Sequence, residues 1–448
     1  MNPYIQYMYS YPHKTAYGPL KGIILKDYAP MLAGSGHGLY LHIPFCLTKC
    51  GYCNLFSVAG QKSGAVDRYL DAVEAQSRQY EELLAPYETV FSDITIGGGT
   101  PLLLSEEQLE RMFSIMKRHF NFSSDCGLTI ETAPNQTAEE KLEVLKRAGV
   151  TRVSIGIQSF FDRELRTLQR SHSAARAEKA LALLKAFQFP CVNVDFIYGI
   201  PGQTVKSLLQ SLKKALFFEP DEIFLYPLYI KHGAGLERNL REGMVLNPEL
   251  AFSLYKEASR FLKKEGFRQD SMRRFVRQEG SRSYLECGFG TSLALGCGGR
   301  SYLGKLHFCS PYAVAKEECL ARLKEFESTL DFSEVTHGIL LSEEEQRRRY
   351  VIRHLLIHPG LDLEQYKEYF GSEAQADFPL LKLWLEKGYA EKIIRGTKQY
   401  LDLTETGMGL SDYLGPQLIS RQVRKNMEGW EELHGQTYDS VPGQLKEL

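Results

Sequence analysis

Three cysteines lie close together in one short stretch of the chain, at Cys46, Cys50 and Cys53. They follow an apolar run, 39–43, whose alternation and length predict a short strand. Thiolates at this density either bind a soft metal or form disulfides, and three on one loop cannot all pair with one another. Zinc usually takes four protein ligands, whereas an iron–sulfur cubane held by three cysteines keeps one iron open. The pattern predicts such a cluster. A structural zinc loop with a distant fourth ligand and three unrelated buried thiols are the alternatives.

Glycines and polar side chains follow the later predicted strands. Residues 97–101 read GGGTP, and a glycine run lets backbone groups approach a ligand closely because no Cβ intervenes. Ligands of parallel α/β folds collect at the carboxyl ends of the strands, so polar residues there are candidates for a ligand site. Taken singly, each is explained better as a fold-maintaining polar group, and the glycines as a tight turn. The polar candidates are Glu131 and Gln158 at the ends of the third and fourth predicted strands, Arg170 twelve residues after Gln158, and Asp195 inside the fifth strand.

Strands and helices alternate between residues 38 and 229. Apolar residues at helical spacing predict the helices, and Ser105 with Gln108 and Thr137 with Glu140 have the capping-box signature. Six predicted strands in this rhythm indicate an α/β fold of successive parallel crossover units. The alternation permits either an open or partial (β/α) barrel or a doubly wound sheet. After the first strand, the predicted strands are 89–96, 127–131, 151–157, 191–198 and 222–229.

Composition and charge restrict the class of protein. A chain of 448 residues can form two or three domains, and its 54 lysines and arginines nearly cancel its 55 aspartates and glutamates. The charge therefore gives no reason to expect nucleic acid or an anionic membrane as a partner. The N-terminus has no apolar signal-peptide core, and an odd number of cysteines, nine, favours reduced thiols. We expect a soluble, cytoplasmic protein with no membrane segment.

The cysteine motif, C-x-x-x-C-x-x-C with Tyr52 before its last cysteine, resembles the cluster loop of radical S-adenosylmethionine (SAM) enzymes. Its surroundings, YLHIPFC, are similar to the oxygen-independent coproporphyrinogen III oxidase-like family, and the resemblance covers residues 7–418. It implies a partial six-unit (β/α) barrel in which Cys46, Cys50 and Cys53 hold a [4Fe-4S] cluster. The fourth iron would take the amino and carboxylate groups of SAM. Reductive cleavage of SAM would then give methionine and a 5'-deoxyadenosyl radical that abstracts hydrogen from a substrate.

The resemblance also implies a set of SAM-binding residues. The glycine run lies about 45 residues after the cysteine loop and is followed by Thr-Pro, which is similar to the SAM amino-group motif of the superfamily. Whether one SAM or two bind is left open, and no catalytic residue that acts on the substrate is identified. The residues implied to bind SAM are Tyr40, Tyr52, Gly98, Gly99, Thr100, Glu131, Gln158, Arg170 and Asp195.

The predicted domains are an N-terminal arm, a radical SAM catalytic domain, a small helical, winged-helix-type C-terminal domain and a tail. Their predicted bounds are 1–37, 38–330, 331–426 and 427–448. The arm is expected to be extended and to cover an apolar edge, with substrate contact by Tyr9, His13 and Tyr17 as the alternative. For the winged-helix-type domain, a lid or substrate cover is preferred to DNA binding, because no concentrated basic recognition face is seen.

The substrate is less certain than the fold, because substrates change on a conserved scaffold. Authentic coproporphyrinogen oxidases carry a further cysteine two residues after the last ligand, where this chain has Leu55, and Tyr229 and Ile230 depart from the second-SAM pattern. The implied partners are a porphyrinogen or haem and an electron donor such as a flavodoxin or ferredoxin, with a monomeric chain. Other hypotheses are a radical methyltransferase or haem-modifying enzyme, a haem chaperone that uses a histidine such as His13 or His42, and a zinc-loop binding module.

Several further residues have two explanations each. Cations at Lys231, Arg273, Arg274 and Arg277 could pair with substrate propionates, although charges on a solvated face are the commoner explanation. Cys287 and Cys297 could form a second metal or redox pair. Buried thiols are the preferred interpretation, because no third ligand recurs at suitable spacing.

Overall fold

The computed structural model describes residues 2–8, 10–61, 63–231, 233–277 and 290–433. The chain folds into two compact units. The larger unit takes its described residues from 17–246 and 290–340, and the smaller unit takes them from 2–16, 247–277 and 341–433. The sequence-based domain bounds, which separate an arm at 37 and a C-terminal domain at 331, stay a prediction.

The strands of the described residues are β1 (Gly18–Pro19), β2 (His37–Ile43), β3 (Phe45–Cys46), β4 (Val58–Ala59), β5 (Val90–Gly98), β6 (Asn121–Thr132), β7 (Arg152–Gln158), β8 (Cys191–Tyr198), β9 (Glu222–Pro227), β10 (Phe267–Gln269), β11 (Arg274–Arg277), β12 (Ser292–Leu295), β13 (Ser301–Leu303), β14 (Leu306–Phe308), β15 (His337–Leu340), β16 (Leu361–Asp362), β17 (Ala390–Arg395) and β18 (Lys398–Leu403).

The α-helices of the same residues are α1 (Ser63–Leu84), α2 (Glu106–His119), α3 (Glu139–Ala148), α4 (Asp162–Thr167), α5 (Ala174–Phe187), α6 (Val205–Leu216), α7 (Glu237–Arg241), α8 (Pro248–Lys264), α9 (Lys316–Glu327), α10 (Glu343–Leu355), α11 (Leu363–Phe370), α12 (Ala374–Asp377), α13 (Leu380–Glu386), α14 (Glu405–Gly409), α15 (Ser411–Leu414) and α16 (Arg421–Leu433). None of the described helices is both long enough and apolar enough to cross a bilayer.

The larger unit is built on six parallel strands in chain order, β2-β5-β6-β7-β8-β9. A doubly wound sheet would reverse its strand order at a switch point, and no reversal occurs among these six. The structure therefore confirms the partial (β/α) barrel. On the other side of β2, the parallel strand β12 is followed by the antiparallel strands β13, β14, β15 and β1.

Two sets of side chains alternate along the central strands, because successive residues of a strand point to opposite faces. One set is apolar and fully buried, as at Ile130 of β6, Ile155 of β7 and Val194 of β8. The other set is polar: Glu131 is paired with Ser154, and Ser154 is paired with Asn193. The apolar set forms core, and the polar set brings hydrogen-bonding groups of neighbouring strands together on one face.

One of the two predicted capping boxes is confirmed. Ser105 and Gln108 form both hydrogen bonds of a capping box at the start of α2, and Asn247 caps α8 with Pro248 at the first helical position. The predicted box at Thr137 is wrong. Ala138 is the N-cap of α3, and the Thr137 hydroxyl instead donates to the carbonyl of Ala133 at 3.1 Å. The Thr137 side chain therefore forms a hydrogen bond within the preceding turn and does not cap the helix.

The N-terminal residues of the larger unit are less extended than the sequence suggests. They contain 3₁₀ turns at Leu25–Asp27 and Ala29–Leu32, and Gly18 of β1 pairs with Gly338 of β15. Buried Leu25, Ala29 and Leu32 contribute to the core. This part of the segment is therefore packed structure.

The smaller unit has an apolar core of its own, around Trp384 and Tyr366, to which Met8 and Tyr11 contribute. Strands β16, β18 and β17 form its antiparallel sheet, in which β17 and β18 pair as a hairpin. Short helices followed by a β-hairpin are the arrangement expected of a winged-helix-type domain.

Candidate cofactor-binding site

The cysteine loop is pinned at both ends by backbone pairing. β3 and β4 pair in parallel, so that Phe45 lies opposite Val58 and Cys46 lies opposite Ala59. The amide of Gly60 also donates to the carbonyl of Cys46 at 3.2 Å. The three cysteines therefore lie on a closed loop whose base is fixed to the end of β2.

The glycine run after β5 is bonded directly to the base of this loop. The amide of Gly99 donates to the carbonyl of Ile43, and that of Thr100 to the carbonyl of Phe45, both at 2.8 Å. A Cβ on Gly99 would lie 2.5 Å from the Phe45 oxygen, and one on Gly98 would lie 2.6 Å from the His42 ring. Close approach of protein groups thus already accounts for these glycines. The Thr100 hydroxyl donates to Cys46 Sγ at 3.8 Å, which brings the glycine segment to the first predicted ligand.

The middle of the loop is held at Gly51, between Cys50 and Tyr52. Its amide donates to the carbonyl of Leu168 at 3.1 Å, and its carbonyl accepts from the amide of Leu236 at 2.6 Å. A Cβ on Gly51 would lie 2.7 Å from Leu236 and 2.8 Å from Gln169. Any larger residue at Gly51 would therefore displace one of the two segments that flank the loop.

The three thiols are close enough to interact electrostatically. Burial and the neighbouring Cys53 and Cys50 together raise the pKa of Cys46 to about 11, against a hydrogen bond from Thr100 that lowers it. Burial and Cys50 also raise the pKa of Cys53. Three thiolates at this place would repel one another without a compensating cation, which is the role of a bound metal group.

Within the described residues, no group of three or more His, Cys, Asp or Glu side chains is arranged around a single metal-ion position. Cysteines that hold a cubane each bind a different iron and do not surround a single point. The observation therefore concerns sites for a single metal ion and not a cluster site. The assignment of Cys46, Cys50 and Cys53 to a cluster stays a prediction.

Three of the predicted SAM residues meet at Gly156 of β7. Arg170 donates to the Gly156 carbonyl at 2.6 Å, a Cβ on Gly156 would lie 2.7 Å from Gln158 Nε2, and Asp195 is the register partner of Gly156 on β8. Gln158 has a left-handed backbone, with φ of 68°, which is unusual for a residue with a side chain. Its buried Oε1 and the Nε of Arg170 have no hydrogen-bond partner among the described residues. A strained residue and unpartnered buried atoms at the end of a strand are typical of a ligand site.

Two half-buried residues with carboxyl groups, Glu131 and Asp195, lie on this face of the strands. Burial raises the pKa of Glu131 to about 7, although the Gly98 amide donates to its carboxylate at 3.0 Å. Burial also raises the pKa of Asp195 to about 6, against a hydrogen bond of 2.7 Å from Asn193 and the charge of Arg152. Both carboxyl groups would ionise more readily next to a cationic ligand such as the ammonium or sulfonium of SAM.

Tyr40 and His42 form a hydrogen-bonded chain. His42 Nε2 lies 2.8 Å from the carbonyl of Phe56, which can only accept, so this nitrogen carries the proton. The other ring nitrogen, Nδ1, is hydrogen-bonded to the Tyr40 hydroxyl at 3.0 Å. Only 4% of His42 is exposed. Both ring nitrogens have hydrogen-bond partners, so His42 would have to give up one of these bonds to bind haem.

Tyr52 packs against a small apolar cluster near the end of β8. The cluster consists of Leu168, Ile197, Ile200 and Leu228, and burial raises the pKa of Tyr52 far above its usual value. Tyr52 therefore keeps its phenol proton and anchors the loop between Cys50 and Cys53.

Other candidates from the sequence lie elsewhere. Arg273 pairs with Asp412 in the smaller unit, and Arg274 is 4% exposed, so a solvated face is the wrong explanation for both. Tyr17 is 5% exposed, and Cys297 is a buried thiol that donates to Ser310 and to the Arg322 carbonyl. Tyr9 and Cys287 lie outside the described residues.

Sequence reasoning missed four residues that build the site. Gly156 was hidden within a strand, where an isolated glycine is a weak signal of close approach. Asn193 holds Asp195, and Arg152 forms a buried ion pair with Glu222 at 2.6 Å. The Tyr69 hydroxyl donates to the carbonyl of His42 at 2.5 Å, a contact that only the tertiary structure reveals.

The donor set and the surrounding groups fit the cofactors that the resemblance implies. Three interacting thiols supply cluster ligands, and Thr100 and Arg170 donate to the sulfurs of Cys46 and Cys50. Beside them are half-buried carboxylates and unpartnered polar atoms for a ligand with ammonium and hydroxyl groups. The residues present are therefore suitable for a [4Fe-4S] cluster with SAM next to it.

Comparisons with known proteins agree with this chemistry. The family described as the radical SAM superfamily matches residues 40–215. A Mycobacterium tuberculosis protein named heme chaperone HemW is 39% identical over 228 residues, which is 50% of this chain and 57% of that protein. The mouse protein named radical S-adenosyl methionine domain-containing protein 1, mitochondrial, is 28% identical over 86% of this chain and 85% of its own length.

Two Escherichia coli matches concern coproporphyrinogen III oxidase. The protein of strain K12 named oxygen-independent coproporphyrinogen III oxidase is 25% identical over 77% of this chain and 78% of its own length. A solved structure, described as coproporphyrinogen III oxidase (HemN), a radical SAM enzyme, matches with a TM-score of 0.78 at 23% identity, over 92% of this chain and 97% of that one. At that identity the structural match establishes the fold. Residues 40–215 are thus similar to the radical SAM superfamily, and the chain shares its fold with the HemN structure.

Proposed function

We propose that this chain binds a [4Fe-4S] cluster through Cys46, Cys50 and Cys53 and cleaves SAM reductively beside it. The observation that carries the proposal is the junction between the cysteine loop and the predicted SAM residues. Arg170 donates to Cys50 Sγ at 3.0 Å and to the Gly156 carbonyl at 2.6 Å, and Gly156 adjoins Gln158 and Asp195. The Arg170 side chain thus connects Cys50, a proposed cluster-binding cysteine, to the residues proposed to bind SAM.

The cluster, when bound, supplies one electron for breaking a carbon–sulfur bond of SAM. The chain's own part is to bind and orient. Glu131 and Asp195 provide carboxylates for the ammonium and ribose hydroxyls, Gln158 provides a buried carbonyl, and Tyr52 and Thr100 hold the loop. Orientation decides which substrate carbon the radical meets.

For the substrate we propose a tetrapyrrole or a related molecule, on which the radical acts. Support comes from relatives whose names refer to coproporphyrinogen or heme. A flavodoxin- or ferredoxin-like donor would supply the electron, and a monomer in the cytoplasm fits the balanced charge of the chain. With coproporphyrinogen III, abstraction of a hydrogen atom from a propionate side chain would leave a substrate radical, and loss of carbon dioxide together with transfer of one electron to an acceptor would then leave a vinyl group.

A haem chaperone is the second candidate. Two observations favour it: relatives named heme chaperone HemW are 39% identical over half of the chain, and Leu55 occupies the position of the further cysteine of authentic oxidases. Leu55 is 44% exposed and has no thiol. Because both ring nitrogens of His42 have hydrogen-bond partners, a chaperone would have to break one of these bonds or bind haem through another side chain.

Anaerobic reconstitution tests the first proposal. The protein should take up iron and sulfide, and with dithionite and SAM it should release 5'-deoxyadenosine. Cys50→Ala should do neither, whereas Cys191→Ala, which removes a buried thiol of β8, should do both. Zinc without sulfide in the wild-type protein would contradict the proposal.

Supplying tetrapyrroles distinguishes the two candidates. Vinyl product from coproporphyrinogen III, detected as a loss of mass, would support the oxidase. Stoichiometric haem binding without any change in the mass of a porphyrinogen would support the chaperone.

A further inference from the structure

Arg170 makes a contact that binding of SAM does not require. One terminal nitrogen of its guanidinium lies 3.0 Å from Cys50 Sγ, and the other lies 2.6 Å from the Gly156 carbonyl. The distance to the sulfur is short for a nitrogen–sulfur hydrogen bond. Because the two terminal nitrogens form a fork that donates to two separate acceptors, the orientation of the guanidinium plane is fixed. The side chain is therefore held against the middle cysteine of the loop.

The backbone around Arg170 is built to keep this position. Gln169 has a left-handed conformation, with φ of 54°, and the amide of Arg170 donates to the carbonyl of Leu165 at 2.9 Å. In the same turn, the Leu168 carbonyl accepts from the amide of Gly51, the residue after Cys50, at 3.1 Å. One turn therefore contacts the loop twice: the Arg170 side chain bonds to Cys50, and the Leu168 carbonyl bonds to the next residue, Gly51.

We propose that Arg170 is a positioning residue for the cluster, whose hydrogen bond to the Cys50 sulfur makes the cluster easier to reduce. The inference rests on the proposed function. Hydrogen bonds and positive charge at the sulfurs raise the reduction potential of an iron–sulfur cluster, because reduction adds one negative charge and breaks no bond. A guanidinium stays protonated, so its charge is present at every working pH.

A redox titration of the reconstituted full-length chain without SAM tests this role. Leaving out SAM removes any effect of Arg170 on SAM binding. One electron from dithionite reduces the cluster, and electron paramagnetic resonance measures the reduced fraction. The variants are Arg170→Met, which removes charge and donors, and Arg170→Lys, which keeps the charge but loses the fork.

Arg176→Met is the matched control. Its guanidinium also donates to backbone carbonyls, those of Pro134, Asn135 and Thr137, and has no cysteine contact in the described structure. It lies six residues away, on α5 of the same unit.

We expect Arg170→Met to lower the ratio of reduced to oxidised cluster at a fixed potential by about tenfold, which is a negative shift of about 59 mV for one electron. Arg170→Lys should shift it less, and Arg176→Met should leave it unchanged. Iron and sulfide contents equal to wild type show that the cluster is intact. If Arg170→Met fails to load, the comparison of Arg170→Lys with wild type decides.

Equal potentials in wild type and both Arg170 variants, with full iron content, would overturn the inference while leaving SAM cleavage intact. A shift of the same size in Arg176→Met would also overturn the inference, because loss of a positive charge without a cysteine contact would then be enough to change the reduction potential. A wild-type protein that takes up no cluster would contradict the proposed function itself, and this result is distinguishable from failure of the inference about Arg170.

Discussion

At the scale of single residues, Gly156 is where the site is most sensitive. Its missing Cβ leaves room for the Gln158 amide, and its carbonyl accepts from Arg170. Gly156→Ala should therefore displace Gln158 or Arg170 and weaken SAM binding, with iron and sulfide content retained. We expect a rise in the KM for SAM of about tenfold or more, because one displaced hydrogen-bonding group is worth about 1–3 kcal/mol.

The control is Gly149→Ala, which replaces the left-handed C-cap of α3, where a Cβ would meet nothing. That variant should lose stability through backbone strain and keep its KM. An unchanged KM in Gly156→Ala would contradict the role that we assign to this position.

Glu131 predicts a pH dependence of stability. Its pKa is about 7 in the folded chain against an ordinary value of 4.5, so the folded state binds the proton more tightly than the unfolded state. Glu131 therefore favours folding most below pH 4.5, and this contribution is lost as the pH rises towards 7 and above. Groups facing Glu131 include Asp195, which raises the pKa, and Arg152, which lowers it.

The measurement is chemical denaturation of the protein without cofactors between pH 5 and pH 8, as the difference in free energy of unfolding between wild type and Glu131→Gln. The advantage of wild type should shrink as the pH rises. Glu140→Gln, an exposed carboxyl group on α3, should show a flat difference. A wild-type advantage that grows with pH would show that the sign is wrong.

The local pattern was sufficient to predict some of these residues. The three cysteines and the glycine run have recognisable spacing, and Glu131, Gln158 and Asp195 were implied by the family resemblance. Gly156 and Asn193 have no recognisable spacing, because their roles depend on the neighbouring strand. The buried state of Arg273 was equally hidden, since its partner Asp412 is 139 residues away in the sequence.

At the scale of elements, α1 fixes the end of the strand that leads to the cysteine loop. The Tyr69 hydroxyl donates to the His42 carbonyl at 2.5 Å and accepts from the Cys297 amide at 3.1 Å. Tyr69→Phe would leave both backbone groups buried without this partner, so the free energy of unfolding should fall by about 1–3 kcal/mol. The loosened end of β2 should also release iron faster to a chelator.

Tyr80→Phe on the same helix is the control, because the Tyr80 hydroxyl accepts from the side chain of Gln76 and not from the backbone. It should change both the stability and the release of iron less than Tyr69→Phe does. Equal effects of the two variants would contradict the assignment of Tyr69 to the strand end.

Element bounds followed from the sequence where the apolar pattern was strong, as in β8, which matches the predicted range 191–198. The bounds were predicted wrongly where pairing with a neighbouring strand determines where a strand begins. β6 begins at Asn121, six residues before the predicted start, because Val90 and Phe91 of β5 pair with Asn121 and Phe122. The choice between barrel and doubly wound sheet needed strand order, which alternation alone does not contain.

At the scale of the whole molecule, the smaller unit has a core that is separate from the contacts that anchor the cysteine loop. Trp384 is 1% exposed in that core, so Trp384→Ala should reduce the free energy of unfolding of this unit by about 3–5 kcal/mol. Iron and sulfide content under native conditions should stay at the wild-type level. Thermal denaturation and iron analysis measure the two effects.

Tyr369→Ala, at a side chain that is 70% exposed, should change neither quantity appreciably. Loss of iron from Trp384→Ala while the protein is still folded would contradict the prediction that the cysteine loop does not depend on this core.

The central claim is that three cysteines leave one iron open beside the predicted SAM site. The most direct measurement is electron–nuclear double resonance of the reduced cluster, with SAM labelled at its amino nitrogen and carboxylate oxygen. The account predicts hyperfine coupling of both labels to the cluster, and loss of that coupling in Cys50→Ala. A reduced cluster that shows no coupling to either label at saturating SAM, or that holds a fourth protein ligand on every iron, would contradict it.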